Sequence, residues 1–347
     1  MASVSNTDLG ARSDRGSEYA DLSRLVRGAG LLDRRPRYYA ARVTLVLGCL
    51  GAVGVIFIRL GPSWWQTATA AALAVLFAQL AFLGHDAGHR QIFRTRRAND
   101  VVGLVCGNLL TGISYGWWVD KHNRHHAHPN TEGRDPDILV VPLSFTPSQA
   151  ATQRGLRALF VRHQAALFFP LLLVEGLHLH GASVRAVVRG GLRHRATEAG
   201  LLVLHLASYL AAVFLVLSVP QAIVFILVNQ AVFGLYLGSS FAPNHKGMPI
   251  LTEADDLDYL RRQVLTSRNV RGGRLVDALL GGLNYQIEHH LFPSMPRPNL
   301  RDAQPLIRQF CADHGIAYHE TTLTQSWAQG LAHLRAVGTG STRPGDD

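Results

Sequence analysis

Seventeen of the 347 residues are histidine, and eight of them sit at spacings that could bring their rings onto metal. His85-Asp86-Ala87-Gly88-His89 places two imidazoles at i and i+4, which share one face of a helix. His122-Asn123-Arg124-His125-His126 repeats the theme at i, i+3 and i+4, and Gln286-Ile287-Glu288-His289-His290 does so with Gln286 in the first place. His245, in Pro243-Asn244-His245-Lys246, is a further candidate. One such cluster means little, since polar residues on a helix face are common. Three together point to a metal centre. Imidazole suits zinc, copper, iron or nickel. A catalytic zinc ion needs only three protein ligands, so eight histidines imply two ions. A membrane zinc protease stays open as a reading, although HExxH is absent. Asp86, Asn244, Glu288, Asp135 and Asp137 could orient the rings through their second nitrogens, or be ordinary turn and surface groups.

The elements that must position these clusters read as membrane helices. Only 17% of residues are charged while 48% are apolar, and the apolar ones are bunched. Four stretches approach the ~20 residues that cross a bilayer: about 43–60, 64–84, 200–219 and 221–242. Short connections, Gly61-Pro62-Ser63 and Pro220, make them two helical hairpins. The stretch 101–118, with its glycines and polar middle, and the shorter 165–177 are expected to lie at the interface or inside the protein. Arginines precede the first span and follow the second and fourth, so these segments are expected on the cytoplasmic side. The expected architecture is therefore an all-α integral membrane protein with about four transmembrane helices. All His clusters then fall on one face, as a shared site requires, provided 165–177 alone does not also cross. Residues 1–37 read as a disordered or amphipathic cytosolic segment, 38–325 as the membrane domain and 326–347 as a tail.

Other classes fall away. Cys49, Cys106 and Cys311 are too few and too scattered for a disulfide framework or a thiolate cluster. No phosphate loop, dinucleotide fingerprint or serine elbow is present. The net charge of +10 is the only feature that would suit nucleic acid; the basic residues flank apolar runs, so a membrane surface fits better.

With HDAGH, HNRHH and QIEHH in place, and with the longer strings HNRHHAHPNTEGRDPD and NYQIEHHLFPSMPRPNL, the chain resembles the membrane fatty-acid desaturase and hydroxylase superfamily over about residues 38–325. The acyl-lipid and front-end branches are the nearest in pattern. The resemblance implies a cytosolic helical cap over four membrane helices, holding a di-iron centre. It implies His85, His89, His122, His125, His126, His289 and His290 as ligands, with His245 matching the family's extra histidine after the last span. Gln286 stands where other branches carry histidine, as a ligand or a neighbour. The implied reaction is O2-dependent insertion of a cis double bond into a fatty-acyl chain carried by lipid, CoA or acyl-carrier protein. No HPGG motif of a fused cytochrome b5 domain occurs, so electrons are expected from a separate ferredoxin- or cytochrome-type carrier. Trp117, Trp118, Tyr115 and Tyr285 are candidates to line an acyl channel, or simple interfacial anchors. Two alternatives share these motifs: a di-iron lipid hydroxylase, and a membrane metal-binding protein without catalysis.

Overall fold

The computed structural model describes residues 17–340. The polar stretches 1–16 and 341–347 lie outside the described residues. α1 (Glu18–Gly28) begins at Ser17, whose hydroxyl accepts from the Ala20 amide at 3.3 Å, a helix N-cap. Its Leu22 and Val26, one turn apart, are buried in a cluster with Leu300, Ile307 and Phe310.

α2 (Pro36–Leu60) and α3 (Gln66–Gly88) follow, separated by a turn at Gly61 (φ 58°). The Gln66 amide closes that turn by donating to the carbonyls of Phe57 (2.8 Å) and Gly61 (2.9 Å). At 25 residues α2 is about 37 Å long at 1.5 Å per residue, more than the ~30 Å hydrocarbon core. Leu45, Leu47, Val55, Ile56 and Ile58 stand exposed on it. Such a surface is costly in water and matched to lipid.

The stretch 101–118 does not form one continuous helix. α4 (Arg96–Leu104) passes into a π-helical turn, Val105–Thr111, which stops at Gly112 (φ 70°); Ser114 then caps α5 (Tyr115–Ala127). A side chain on Gly112 would meet the His205 ring at 2.5 Å, so the stop requires glycine twice over. Short helices α6 (Pro147–Ala151) and α7 (Leu156–Arg162) lead into α8 (Gln164–Arg189), followed by α9 (Arg195–Val216) and α10 (Val219–His245).

Among the described residues five helices, against an expectation of four, are long and apolar enough to cross a membrane: α2, α3, α8, α9 and α10. The addition is α8. Its apolar run stops at Leu177 because Glu175, His178 and His180 interrupt it. The helix nevertheless continues to Arg189, since these groups find partners: His178 Nδ1 lies 3.2 Å from Glu175, and His180 Nδ1 donates to the Gly112 carbonyl at 2.9 Å. α8 packs on α10 along a glycine seam. A Cβ on Gly176 would meet the Gln230 carbonyl at 2.7 Å, and one on Gly234 the Gly176 amide at 2.6 Å. Asn229, deeper in α10, is satisfied internally, as lipid demands: it donates to the Ala70 carbonyl (3.1 Å) and accepts from Tyr209 (3.2 Å).

Beyond α10 come α11 (Tyr259–Leu265), β1 (Asn269–Arg271), α12 (Arg274–Leu279), α13 (Gln286–Leu291), α14 (Arg297–Asp313), β2 (Glu320–Thr322) and α15 (Leu323–Thr339). β1 and β2 pair in parallel, with Val270 opposite Thr321. The helices share a separate apolar core of Leu260, Val264, Ile287, Leu291, Leu300 and Ile307. Residues 326–339, which the sequence suggests are tail, are helix. Thr322 and Gln325 form a capping box at the start of α15, and its Leu334 packs with Phe168 of α8.

Candidate metal site

Two long helices deliver histidines by overrunning their apolar segments. Hydropathy ends the second span near residue 84 and the fourth near 242. α3 instead continues through His85, with His89 just past its end, and α10 ends on His245. α5 supplies His122, His125 and His126, and α13 supplies His289 and His290. All eight are gathered in one place, seven of them in two sets whose candidate ligand atoms lie within 4.8 Å of one another: His85, His89, His122 and His289; and His125, His245 and His290. His126 lies between the sets. Its ring centroid is 4.2 Å from that of His290 and 4.6 Å from those of His89 and His122.

Hydrogen bonding fixes the tautomers of the second set. His245 Nδ1 is 2.9 Å from the Thr266 carbonyl, which can only accept. His125 Nδ1 is 3.0 Å from both carboxylate oxygens of Asp135. His290 Nδ1 is 2.8 Å from Gln263 Oε1, whose amide nitrogen donates to the His126 carbonyl. Each Nδ1 therefore carries the proton and each Nε2 is left as an acceptor, that of His245 also facing the Gln286 amide at 2.8 Å. Yet His245 Nε2 is only 3.0 Å from His290 Nε2 and 3.3 Å from His125 Nε2. Three lone pairs converging without a proton between them repel; a cation is what resolves them. In the first set, His85 Nε2, His89 Nε2 and both ring nitrogens of His289 are buried without a hydrogen-bond partner among the described residues. Orphaned buried polar atoms are costly unless a ligand claims them. Burial first, then the neighbouring imidazoles, holds His89, His122, His126, His289 and His290 well below the usual histidine range. Neutral rings are the metal-binding form, so donor type, tautomer and burial all fit bound metal.

The remaining candidates divide. The Gln286 amide donates to His245 Nε2 at 2.8 Å and accepts from Asn244 at 3.2 Å. Asp86 lies 3.5 Å from His85 Nδ1 and is ion-paired at 2.6 Å to the buried Arg297. Asp137 approaches His125 Nδ1 at 3.5 Å and is paired with Lys121. Burial works against its charge, but Lys121, His125 and Lys246 outweigh that and hold its carboxyl below the usual range. Glu288 faces away from the imidazoles: its carboxylate accepts from Tyr318 (2.6 Å) and Asn269 (2.7 Å). Burial raises it to about 7, moderated by those two bonds.

Gln263, Asn130 and Arg297 are not among the candidates that the sequence singles out, although Arg297 lies within NYQIEHHLFPSMPRPNL. Asn130, at a left-handed φ of 49°, donates its amide to Asp135 (2.7 Å) and its side chain to the His245 carbonyl (3.0 Å). It lies within the string HNRHHAHPNTEGRDPD, where closeness to the second cluster is the available signal. Gln263 sits on α11, far along the chain from any histidine cluster but the third.

A cavity of about 250 Å³ opens against the site. His85, His122, His125, His245 and Gln286 form part of its wall, and most of the rest is apolar, including Ile113, Leu179, Leu237 and Phe241. Tyr115, Trp117 and Trp118 line it as expected of a channel; Tyr285 does not, being buried in the cap core.

Similarity to known proteins agrees with this arrangement. The profile of the family described as "Fatty acid desaturase" matches residues 62–322. The acyl-lipid (9-3)-desaturase of Physcomitrium patens is 34% identical over 78% of this chain and 53% of its own length. The Delta(5) fatty acid desaturase fat-4 of Caenorhabditis elegans is 30% identical over 86% of this chain and 69% of its own. The Delta(8)-fatty-acid desaturase of Helianthus annuus is 28% identical over 94% and 74% respectively. The chain thus spans about half the length of the first of these relatives and more of the others. A match covering most of the chain, with every histidine cluster inside it, means that this protein belongs to the fatty acid desaturase family.

Proposed function

We propose that the protein is an O2-dependent fatty-acyl desaturase that inserts a cis double bond into a lipid acyl chain. The observation that carries this reading is the meeting of three Nε2 lone pairs at 3.0–3.3 Å, beside a second imidazole set, in the wall of an apolar cavity. His85, His89, His122 and His289 would hold one iron ion and His125, His245 and His290 the other, with His126 in reach of both. Two iron ions so held supply the dioxygen activation that an unreactive CH2–CH2 pair demands, since acid–base chemistry has no purchase on it. Atoms and electrons balance when CH2–CH2 and O2, with two electrons and two protons from outside, become CH=CH and two waters.

The chain's own residues do the positioning. Asp135, Gln263 and the Thr266 carbonyl fix three rings and their tautomers; Gln286 and Asn244 support His245; Asp86 supports His85; Glu288 anchors α13 through Tyr318 and Asn269. The largely apolar cavity wall would hold the acyl chain against the site, which is the main contribution a protein can make to such a reaction.

For topology we assign four crossings, α2, α3, α9 and α10 in two hairpins, with the site on the cytoplasmic side and the catalytic unit over about 38–325 together with α15. His245 meets His125, so an even number of crossings separates α5 from the end of α10. α9 and α10 supply two, and α8 therefore does not add a third. Arginines around α1 and after α3 support the orientation. Electrons come from a separate ferredoxin- or cytochrome-type carrier. The relatives' names support an acyl lipid or other fatty-acyl carrier as substrate.

Expression in a host lacking the product, with mass-spectrometric location of any new double bond, tests the reading. The expected result is an alkene from the wild type that disappears in His125→Ala. A hydroxylated chain instead of an alkene, or identical profiles with and without the protein, would overturn it.

A further inference from the structure

One corner of the otherwise apolar cavity is charged. Lys121 and Lys246 line it together with Asp137, next to His125. Lys121 pairs with the Asp137 carboxylate. Lys246 donates to the Asp137 backbone carbonyl at 2.9 Å and lies 4.0 Å above the Phe145 ring. About a third of the Lys121 and Asp137 side chains remains accessible, 31% and 33%, and both border the cavity. Each ammonium has three N–H donors but makes a single hydrogen bond among the described residues. A cavity built for a hydrocarbon chain has no use for spare ammonium donors unless one end of its ligand is polar.

The local charge says what kind of polar end. Among the lining residues two lysines, Lys121 and Lys246, stand with two carboxylates, Asp137 and Glu175, the latter also 3.2 Å from His178. Those side chains balance one another, and a carboxylate or phosphate reaching Lys121 would lie against the Asp137 carboxylate already paired with it. An uncharged acceptor would meet no such repulsion.

We infer that this corner is a carbonyl subsite: Lys121 and Lys246 donate to the carbonyl oxygen that links the acyl chain to its carrier. The inference rests on the desaturase reading above. Asp137 touches both Lys121 and His125, so the subsite lies within two side chains of the metal site. The bound carbonyl is therefore held close to the reacting carbons, and the position of the double bond is counted from the carbonyl end.

The test uses full-length protein in membranes and three carriers of one chain length: an ester phospholipid, an acyl-CoA thioester, and an ether phospholipid that keeps the phosphate but lacks the carbonyl. The preferred one of the first two identifies the source of the carbonyl. The ether chain is expected to react at least about tenfold more slowly, the equivalent of one hydrogen bond at ~1.4 kcal/mol, or with scattered double-bond positions. Lys121→Met and Lys246→Met are each expected to cause part of that loss on the carbonyl-bearing carrier and no further loss on the ether. A merely structural lysine would depress both equally. Equal rate and position on ether and carbonyl carriers overturns the subsite even if neither variant folds. A wild type that makes no alkene from any carrier sinks the desaturase reading itself and the subsite with it.

Discussion

The two imidazole sets differ in how the protein holds them. In the set of His125, His245 and His290, every Nδ1 has a buried acceptor at 2.8–3.0 Å: Asp135, the Thr266 carbonyl or Gln263. In the set of His85, His89, His122 and His289, the nearest carboxylate, Asp86, stands 3.5 Å from His85, and His289 has no hydrogen-bond partner at either nitrogen among the described residues. On the proposed reading the His125 set would be organised before metal arrives, and the His85 set would take its final ring orientations from the metal. A ring that is already oriented loses less freedom on binding, so one site of a pair can be tight while its neighbour stays adjustable.

Four experiments break or sharpen that contrast. The largest effect is expected from His290→Ala, which removes a ring from the organised set: product should fall below detection and metal content should drop with it. Retained product at wild-type level would remove His290 from the centre. Next, Arg297→Met leaves Asp86 buried and unpaired, at a cost of about 3–5 kcal/mol. A large drop in thermal midpoint in detergent is expected, and an unchanged midpoint would show that the looser set is not anchored through this pair. Third, Gln263→Leu deprives His290 of its acceptor and should cost about 10–100-fold in metal affinity. Equilibrium metal titration measures it, and no change would show that the second nitrogen's partner is immaterial. The smallest effect is the order of filling: metal-free protein titrated with ferrous iron should fill the organised set first, with affinities separated by about tenfold, ~1.4 kcal/mol. Filling in the reverse order would invert the comparison.

The rings of the organised set are legible in the amino-acid sequence; the groups that orient them are mostly not. The i, i+3, i+4 spacing of the second and third clusters puts His122, His125 and His126, and Gln286, His289 and His290, on helix faces by geometry alone. Parity of the spans then allows the clusters to meet, provided 165–177 alone does not cross. The orienting groups give no comparable signal. Gln263 reaches His290 from a helix whose own sequence, Tyr-Leu-Arg-Arg-Gln-Val-Leu, signals only an amphipathic surface; the pairing exists only in three dimensions. Glu288 suggests a ring partner because it neighbours His289 in sequence, yet adjacent residues on a helix point in different directions, and it bonds to Tyr318 and Asn269 instead. The full length of α8 is hidden for a related reason: polar residues that end a hydropathy run need not end a helix when the tertiary structure supplies their partners. The break at Gly112 is foreshadowed by glycines and polar residues in 101–118, though the π-helical form it takes depends on contacts with α3 and α9.

The bare contact between α8 and α10 sets a tolerance for the whole cavity. Where Gly176 and Gly234 meet, backbone touches backbone and no flexible group is available to absorb a displacement. One methyl added there has nowhere to go except into moving α8 outward, and α8 carries Leu172, Glu175 and Leu179 of the cavity wall. Bore width is thus machined by residues that never face the ligand, and evolution could retune the gauge of the bore from outside it.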